Sequence, residues 1–165
     1  MELLINKFLK TSSLFFLIAL IFTTGCQQQK MEDKKLKEFA RQYTAAWCSQ
    51  NAASVATFFA ENGSLKINNG DPSVGREAIT KAAQGFMTAF PDMIVAMDSL
   101  SIKAENVIYY WTLTGTNTGP GGTGKQIRIS GYEEWTIDEE GPIAESKGHF
   151  DEAEYQRQLE YGQDN

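Results

Sequence analysis

A glutamate in a strand-like stretch is the residue best suited to acid–base chemistry in this sequence. Over residues 125–137 the side chains alternate, which places Glu133 on the same side as Ile129 and Trp135 if the stretch is a strand. Apolar neighbours favour the neutral form of a carboxyl group and raise its pKa. Such a group can act as a general acid or base at a carbon acid, so Glu133 is our catalytic candidate. The alternative is that Glu133 faces outward beside Glu134, in solvent or against a second copy of the chain.

Other polar side chains offer weaker support for a reaction site. Asn117 and Ser146 can hydrogen-bond a carbonyl oxygen. Tyr43 and Tyr110 can each offer a phenol. His149 is the only histidine, and its place at the end of a strand predicts a surface residue unless a bulge turns it inward. With a single histidine, no Ser/His/Asp order stands out.

Aromatic residues are numerous enough to wall an internal cavity, since they make up 12% of the chain. Most such residues are simply core, yet a largely apolar pocket with few polar groups is the expected form of a small-molecule site. We therefore expect a pocket for a small hydrophobic molecule. Besides Tyr43, Asn117 and Ser146, its expected wall residues are Trp47, Phe58, Phe86, Phe90, Trp111, Trp135 and Phe150.

Composition and charge exclude several functional classes. The 165 residues carry 15 Lys/Arg against 21 Asp/Glu, for a formal net charge of -6. Sequence-independent binding of nucleic acid needs clustered basic residues, so no nucleic-acid partner is expected. Two cysteines and one histidine cannot complete a Cys/His zinc site. The sequence therefore predicts no metal site.

The first 25 residues have the pattern of an export signal. Lysines precede an apolar run over 14–22, and small residues then lead into Cys26. As a helix this run would span about 14 Å, too short for a hydrocarbon core of about 30 Å. The Thr-Thr-Gly-Cys end resembles a bacterial lipobox, which implies acylation of Cys26, a polar tether over 26–35, and anchoring to a bacterial membrane in the cell envelope. An ordinary secretory signal cut near the same place is the alternative.

Apolar residues recur every three or four positions in the first half of the chain, which predicts helices. The first covers the region from Leu36 to Trp47. A shorter one is expected to be capped by Asn51 and to run through Phe59 to a stop at Asn62-Gly63. A short strand over 64–67 and dense turn residues follow, and a third helix begins at Gly75.

Beyond Pro91 the pattern changes to alternation, which predicts four strands joined by short turns and therefore antiparallel hairpins. The glycine-rich stretch 119–124 lacks the helix and the Gly-Lys-Ser/Thr ending of a phosphate-binding loop, so we expect a flexible hairpin at the cavity mouth. Asp151, with Glu154 three residues on, predicts a capped final helix. The expected strands are 93–104, 107–118, 125–137 and 143–150.

These elements predict an α+β domain over residues 36–162. Its N-terminal helices are expected to pack on a strongly curved, mostly antiparallel sheet and to enclose a cone-shaped cavity.

Several short stretches follow one another in an order that resembles a known group. They are Thr44–Trp47, Phe58–Gly63, Gly75–Ile79, Phe90–Asp92, Trp111–Thr116, Thr123–Lys125 and Gly141–Glu145. The chain resembles the SnoaL-like domains of the nuclear-transport-factor-2-like superfamily, and most of all the polyketide cyclase and ester cyclase members. The resemblance covers about residues 36–162. It implies a cone-like α+β fold, frequent homodimers, and acid–base chemistry without a cofactor.

The resemblance also locates three positions at which such cyclases carry polar pocket groups. Their aspartate lies three residues after the glutamate of an Ile-x-Glu stretch, which is Glu145 here, so its position falls on Gly148. Their histidine on the neighbouring strand corresponds to Glu133. The histidine of a Gly-Thr-His stretch corresponds to Asn117. All three positions differ from the family pattern.

Three functions remain open from the sequence. The first is a lipid-anchored protein of cyclase-like ancestry with an apolar pocket for a small hydrophobic molecule. The second is a cofactor-independent cyclase, isomerase or hydrolase that uses Glu133 as general acid or base. The third is a dimeric interaction module that pairs through the outer face of the sheet, near Arg128, Tyr132 and Glu134.

Overall fold

The computed structural model describes residues 33–103, 106–138 and 141–163. Contacts between Cα atoms place a boundary between two units after Glu38. The candidate site lies in the second unit, within residues 39–163.

The predicted export signal, Cys26 and residues 26–32 of the predicted tether lie outside the described residues. Residues 33–35, which we expected to belong to the tether, are already helical. In the part of the chain that the structure describes, no helix is both long enough and apolar enough to span a bilayer.

Four helices and six strands form within the described residues. The helices are α1 (33–48), α2 (Ala52–Ala56), α3 (Gly75–Ala89) and α4 (Glu152–Tyr161). The strands are β1 (Phe59–Ile67), β2 (Ser73–Val74), β3 (Ile94–Lys103), β4 (Asn106–Thr116), β5 (Gln126–Ile137) and β6 (Ile143–Phe150).

The strands make one sheet in the order β2-β1-β6-β5-β4-β3. Strands β3 to β6 follow one another as antiparallel hairpins, as the alternation and the short turns predict. Only the β1–β6 pair is parallel. The predicted α+β class, with N-terminal helices packed on a curved and mostly antiparallel sheet, is confirmed.

The second helix is shorter than predicted because the stretch that follows it joins the sheet. Helix α2 ends at Ala56, and Phe59 opens β1 opposite Ile143 of β6. The backbone N–H of Ile143 donates to the carbonyl of Phe58 at 2.8 Å, and the Arg76 guanidinium donates to the carbonyl of Phe59. These long-range hydrogen bonds outweigh the helical spacing of the apolar residues.

The two predicted helix caps have different outcomes. The Asp151 side chain accepts a hydrogen bond from the backbone N–H of Glu154 at 3.0 Å and caps α4 as predicted. Asn51 occupies the N-cap position of α2, but its side chain makes no capping hydrogen bond. Strand β2, which the turn-rich sequence did not predict, pairs with β1 through Ser73 and Val74.

Candidate functional site

Glu133 lies on the inner face of β5, as the alternation predicts. The exposed fractions of Ile129, Glu133 and Trp135 are 5%, 6% and 1%. Glu134 is exposed and Tyr132 is half-buried on the opposite face of the strand. The alternative of an outward, solvated Glu133 is therefore wrong.

One oxygen of the Glu133 carboxyl group receives three hydrogen bonds. Its Oε2 accepts from the Tyr43 hydroxyl at 3.0 Å, the Trp135 Nε1 at 2.8 Å and the Ser146 hydroxyl at 2.7 Å. The donors come from α1, β5 and β6. No donor from the described residues reaches Oε1, which leaves that oxygen for a ligand or water.

Burial is the main reason that the pKa of Glu133 is raised, and the hydrogen bonds from Trp135, Ser146 and Tyr43 partly oppose it. Burial, followed by the negative charge of Glu133, also raises the pKa of Tyr43 well above its ordinary value, so its phenol stays a donor. Because Oε2 already receives three donors, a proton taken up by this carboxyl group belongs on Oε1. The group can therefore accept or release a proton at Oε1.

Stacked aromatic rings hold the donors of Glu133 in place. Tyr109 stacks on Trp135 with ring centroids 4.8 Å apart, and Tyr43 meets Trp135 edge-on at 5.1 Å. The Tyr109 hydroxyl lies 2.8 Å from the Thr44 hydroxyl, which itself donates to the carbonyl of Ala40. Interlocked rings with satisfied polar groups restrict rotamer changes, so the carboxyl group is held in one orientation.

A cavity lies next to Glu133 between the helices and the inner face of the sheet. Its volume is about 60 Å³, which is well above the roughly 10–15 Å³ that a cavity needs to hold one water molecule. The described residues that line it are Trp47, Leu65, Ile67, Phe86, Val95, Tyr109, Trp111, Leu113, Glu133, Gly148 and Phe150. Glu133 supplies the only carboxyl group among them.

The predicted wall residues divide into three groups. Trp47, Phe86, Trp111 and Phe150 line the cavity. Tyr43, Trp135 and Ser146 instead surround the carboxyl group of Glu133 and donate to it. These three act behind the wall, because their polar atoms are already engaged with Oε2.

Phe58, Phe90 and Asn117 do not line the cavity, contrary to our expectation. Phe58 packs edge-on against Tyr43 at 5.6 Å, and Phe90 is fully buried, with its ring 6.3 Å from that of Tyr155. Phe90 belongs to the core, and Phe58 is half-buried. Helical spacing alone does not separate a cavity wall from packing.

Asn117 holds the glycine-rich loop instead of meeting a ligand. Its Nδ2 donates to the carbonyl of Ala89 at the end of α3 (3.1 Å), and its Oδ1 accepts from the backbone N–H of Thr123 (2.8 Å). The loop expected at the cavity mouth is thus fastened to α3, and none of its residues is among those that line the cavity.

His149 lies on the outer face of the sheet, as its strand position predicts. Its ring stacks on that of Tyr132 with centroids 4.8 Å apart, and Tyr132 in turn meets Tyr110 at 6.0 Å. Tyr110 is 38% exposed, so it offers no phenol to the cavity. These three rings form a row that we call the outer aromatic row.

Sequence reasoning missed Tyr109 as a cavity residue. Its position was readable, because Val107, Tyr109, Trp111 and Leu113 alternate along β4 and share the inner face. The aliphatic wall residues Leu65, Ile67 and Val95 carried no signal that separates them from ordinary core.

Two indole N–H groups in the cavity wall have no hydrogen-bond partner among the described residues. They belong to Trp47 and Trp111, whereas the third tryptophan, Trp135, donates to Glu133. The Trp47 indole lies close enough to the Tyr43 hydroxyl to oppose part of the rise in its pKa, but its N–H does not have hydrogen-bond geometry with that hydroxyl. Across the described ranges, no group of three or more His, Cys, Asp or Glu side chains could hold a metal ion.

The model of one protein family, the SnoaL-like polyketide cyclases, matches residues 37–159. The chain belongs to this SnoaL-like family. No curated protein matches the sequence.

Solved structures support the same fold for this SnoaL-like domain. A hypothetical protein with a ketosteroid isomerase-like fold from Catenulispora acidiphila, in complex with trimethylamine, superposes with a TM-score of 0.67 at 16% identity, over 74% of this chain and 92% of that one. The epoxide hydrolase/cyclase-like enzyme SalBIII, from pyran ring formation in the polyether salinomycin, gives 0.64 at 19%, over 74% and 95%. A phenazine biosynthesis-related protein from Pseudomonas aeruginosa gives 0.63 at 15%, over 82% and 94%. At these identities the likeness concerns the fold alone.

Two of the three positions that the resemblance singled out are neighbours in this SnoaL-like domain. Gly148 pairs with Glu133 across β5 and β6, and both line the cavity. Asn117, the third, lies at the loop. The polar chemistry of the cavity is therefore concentrated on Glu133.

Proposed function

We propose that this SnoaL-like domain binds a small, largely apolar molecule in the cavity beside Glu133. The observation that carries the proposal is the position of the carboxyl group: its Oε2 is held by three donors, while Oε1 has no partner among the described residues of an otherwise apolar, aromatic wall. A few placed polar atoms in an apolar wall are the usual composition of a small-molecule site.

Binding can be tested with toluene as a probe and a variant that fills the cavity. A Cβ added at Gly148 meets only ordinary contacts, so a leucine side chain there extends into the space beside Glu133. Toluene is expected to raise the unfolding temperature of the wild type and of Gly85→Ala, a position with open space around it, but not that of Gly148→Leu. Equal shifts in all three proteins would place the probe outside the cavity.

Proton transfer by Glu133 is the second candidate function. With Oε1 ionised, the carboxylate takes a proton from a carbon next to a ligand carbonyl, which leaves an enolate and a neutral carboxylic acid. The same proton then returns to another carbon, or to the alkoxide formed when the enolate attacks a second carbonyl. This sequence corresponds to an isomerase or a cyclase and consumes no co-reactant.

Exchange of the α-protons of cyclopentanone in deuterated water measures this step directly by NMR. If Glu133 is the base, the wild type accelerates the exchange and Glu133→Gln lowers the acceleration by about 10²–10⁴-fold. The matched control is Glu134→Gln, the exposed neighbour on the other face, which should exchange like the wild type. Probe binding without any exchange in the wild type would leave a binding protein and no enzyme.

Export and lipid anchoring are further proposals, supported by the Thr-Thr-Gly-Cys pattern before residue 27. We propose that acylated Cys26 tethers the domain to a membrane of the bacterial cell envelope. The wild type should then fractionate with membranes and yield an acylated N-terminal peptide by mass spectrometry. Cys26→Ser should appear in the soluble fraction, and membrane association that survives this change would contradict the anchor.

We also propose that the domain forms a homodimer through the outer face of the sheet. The outer aromatic row supports this, since Tyr110 is a large, partly apolar side chain left 38% exposed. Sedimentation of the Cys26→Ser chain should show a dimer that Tyr110→Glu dissociates. A monomer at all concentrations would contradict the dimer while leaving the cavity proposals untouched.

A further inference from the structure

The carboxyl group of Glu133 has no positively charged partner in the described structure. Its pKa is shifted by burial and by hydrogen bonds from three neutral donors, and no lysine, arginine or histidine contributes to the shift. The titratable side chains that face it are Tyr43 from α1 and Tyr109 from β4, while β6 presents Ser146 and Gly148. A buried carboxylate without a counter-charge is costly, because the field of an ion is poorly screened in an apolar interior.

The same carboxyl group is nevertheless arranged for its ionised form. Three donors converge on Oε2, and hydrogen bonds to an oxygen of this kind stabilise the carboxylate more than the acid. The protein thus supplies every element of an ion pair except the cation. That missing charge is a property of the cavity, since the described residues lining it include no basic side chain.

The remaining wall combines four aliphatic side chains with aromatic rings, and neighbouring rings meet at steep angles. Trp47 and Phe86 meet at 81° with centroids 6.2 Å apart, and Trp111 and Phe150 meet at 64° and 6.2 Å. With Tyr109, five aromatic rings line a space that also contains one carboxyl group. Ring faces attract cations, and cages of this composition recognise alkylated ammonium groups.

We infer that the ligand of this cavity is a small organic cation, an alkylated ammonium group whose charge pairs with Glu133 and whose methyl groups contact the surrounding rings. The inference rests on the proposed function, because it names the chemical class of the molecule that the cavity binds. An uncharged ligand of the same shape is the competing possibility.

Choline and 3,3-dimethylbutan-1-ol separate these possibilities, because they share one shape and differ by replacement of the quaternary nitrogen with carbon. Titration calorimetry on the full chain, with Cys26→Ser for solubility, should show choline binding roughly tenfold or more tightly than the alcohol. Choline affinity should also rise with pH as Glu133 ionises, while that of the alcohol should not rise.

Two variants locate the preference. Glu133→Gln keeps the shape of the side chain and removes its charge, so it should lose most of the choline preference and keep only the part that the rings supply. Phe150 is half-buried, so Phe150→Leu should fold even if Glu133→Gln does not. Because it removes one ring, this variant should lower the choline preference by about two- to fivefold. The matched control is Tyr132→Leu on the outer face, which should keep the full preference.

The outcomes distinguish the inference from the proposed function. If the alcohol binds the wild type as tightly as choline or more tightly, the inference of a cationic ligand is wrong and the proposed binding in the cavity is unaffected. If neither compound binds, the inference is also wrong, and the toluene experiment tests separately whether the cavity binds a ligand. A choline preference that is undiminished in both Glu133→Gln and Phe150→Leu places the cation elsewhere and overturns the inference as well.

Discussion

Gly148 lies directly opposite Glu133 in the β5–β6 pair, and a Cβ at Gly148 would be 3.7 Å from the Cγ of Glu133. The missing side chain therefore leaves open space beside the one carboxyl group of the cavity. It is also the position at which the family resemblance places an aspartate. The pair decides how much room and how much charge the site contains.

Two glycines of the inner sheet should respond oppositely to alanine. At Gly148 the nearest atoms to an added Cβ are 3.5 and 3.7 Å away, which is ordinary contact. At Gly131 the Cβ would meet the carbonyl of His149 at 2.4 Å and the Trp111 ring at 2.6 Å. Gly131→Ala should lower the free energy of unfolding by about 1–3 kcal/mol, while Gly148→Ala changes it by less than about 0.5 kcal/mol. Urea denaturation of both variants measures this, and a stable Gly131→Ala would contradict the close approach.

An aspartate at position 148 should raise the pKa of Glu133 further. Two carboxyl groups at this distance repel each other when ionised, so the pair holds a proton to higher pH. NMR titration of the labelled carboxyl carbons should show the Glu133 transition move upward in Gly148→Asp. The asparagine in Gly148→Asn has the shape of aspartate without its charge. A similar rise in the pKa of Glu133 in that variant would show that burial, and not charge, causes the shift.

The raised pKa of Glu133 predicts that its contribution to stability declines with increasing pH. Below the unfolded pKa of about 4.3 both states carry the proton. Between that value and the higher folded pKa, the folded state holds more protons, so the free energy of unfolding falls as pH rises, and the loss is complete above the folded pKa.

The difference between wild type and Glu133→Gln isolates this contribution, since other groups cancel. The variant should gain stability relative to the wild type as pH rises through this window, measured by denaturation at several pH values. Glu134→Gln is exposed and should follow the wild type at every pH. A flat difference for Glu133→Gln would show that its three donors fully compensate for burial.

Asn117 should matter for the loop and not for the cavity. Asn117→Ala removes the hydrogen bonds to Ala89 and Thr123 and should cost about 1–3 kcal/mol of unfolding free energy. Amide hydrogen exchange over 118–124 should accelerate, while toluene binding stays unchanged. Thr118→Ala, at an exposed neighbouring position, should change neither the unfolding free energy nor the exchange rate of the loop amides. Loss of probe binding in Asn117→Ala would show that the loop shapes the cavity after all.

Much of the secondary structure could be predicted from the sequence because it depends on local patterns of residues. Alternation along β5 put Glu133 on the same side as Trp135, and the spacing of Asp151 and Glu154 predicted the cap of α4. The periodic pattern gave a wrong prediction where distant elements pair. It predicted a helix at Phe59, but this residue lies in a strand that pairs with β6, and its carbonyl accepts a hydrogen bond from Arg76 of α3.

Local sequence patterns were enough to predict the class of fold, the inward side of the sheet and the one carboxyl group on it, because side-chain alternation and capping act over a few residues. Tertiary structure alone decided that Tyr43, 90 residues earlier, and Ser146, 13 residues later, donate to the same oxygen of Glu133. It also decided which aromatic rings border empty space and which fill the core. Both outcomes depend on how closely distant elements pack, and that distance is not a property of any one segment.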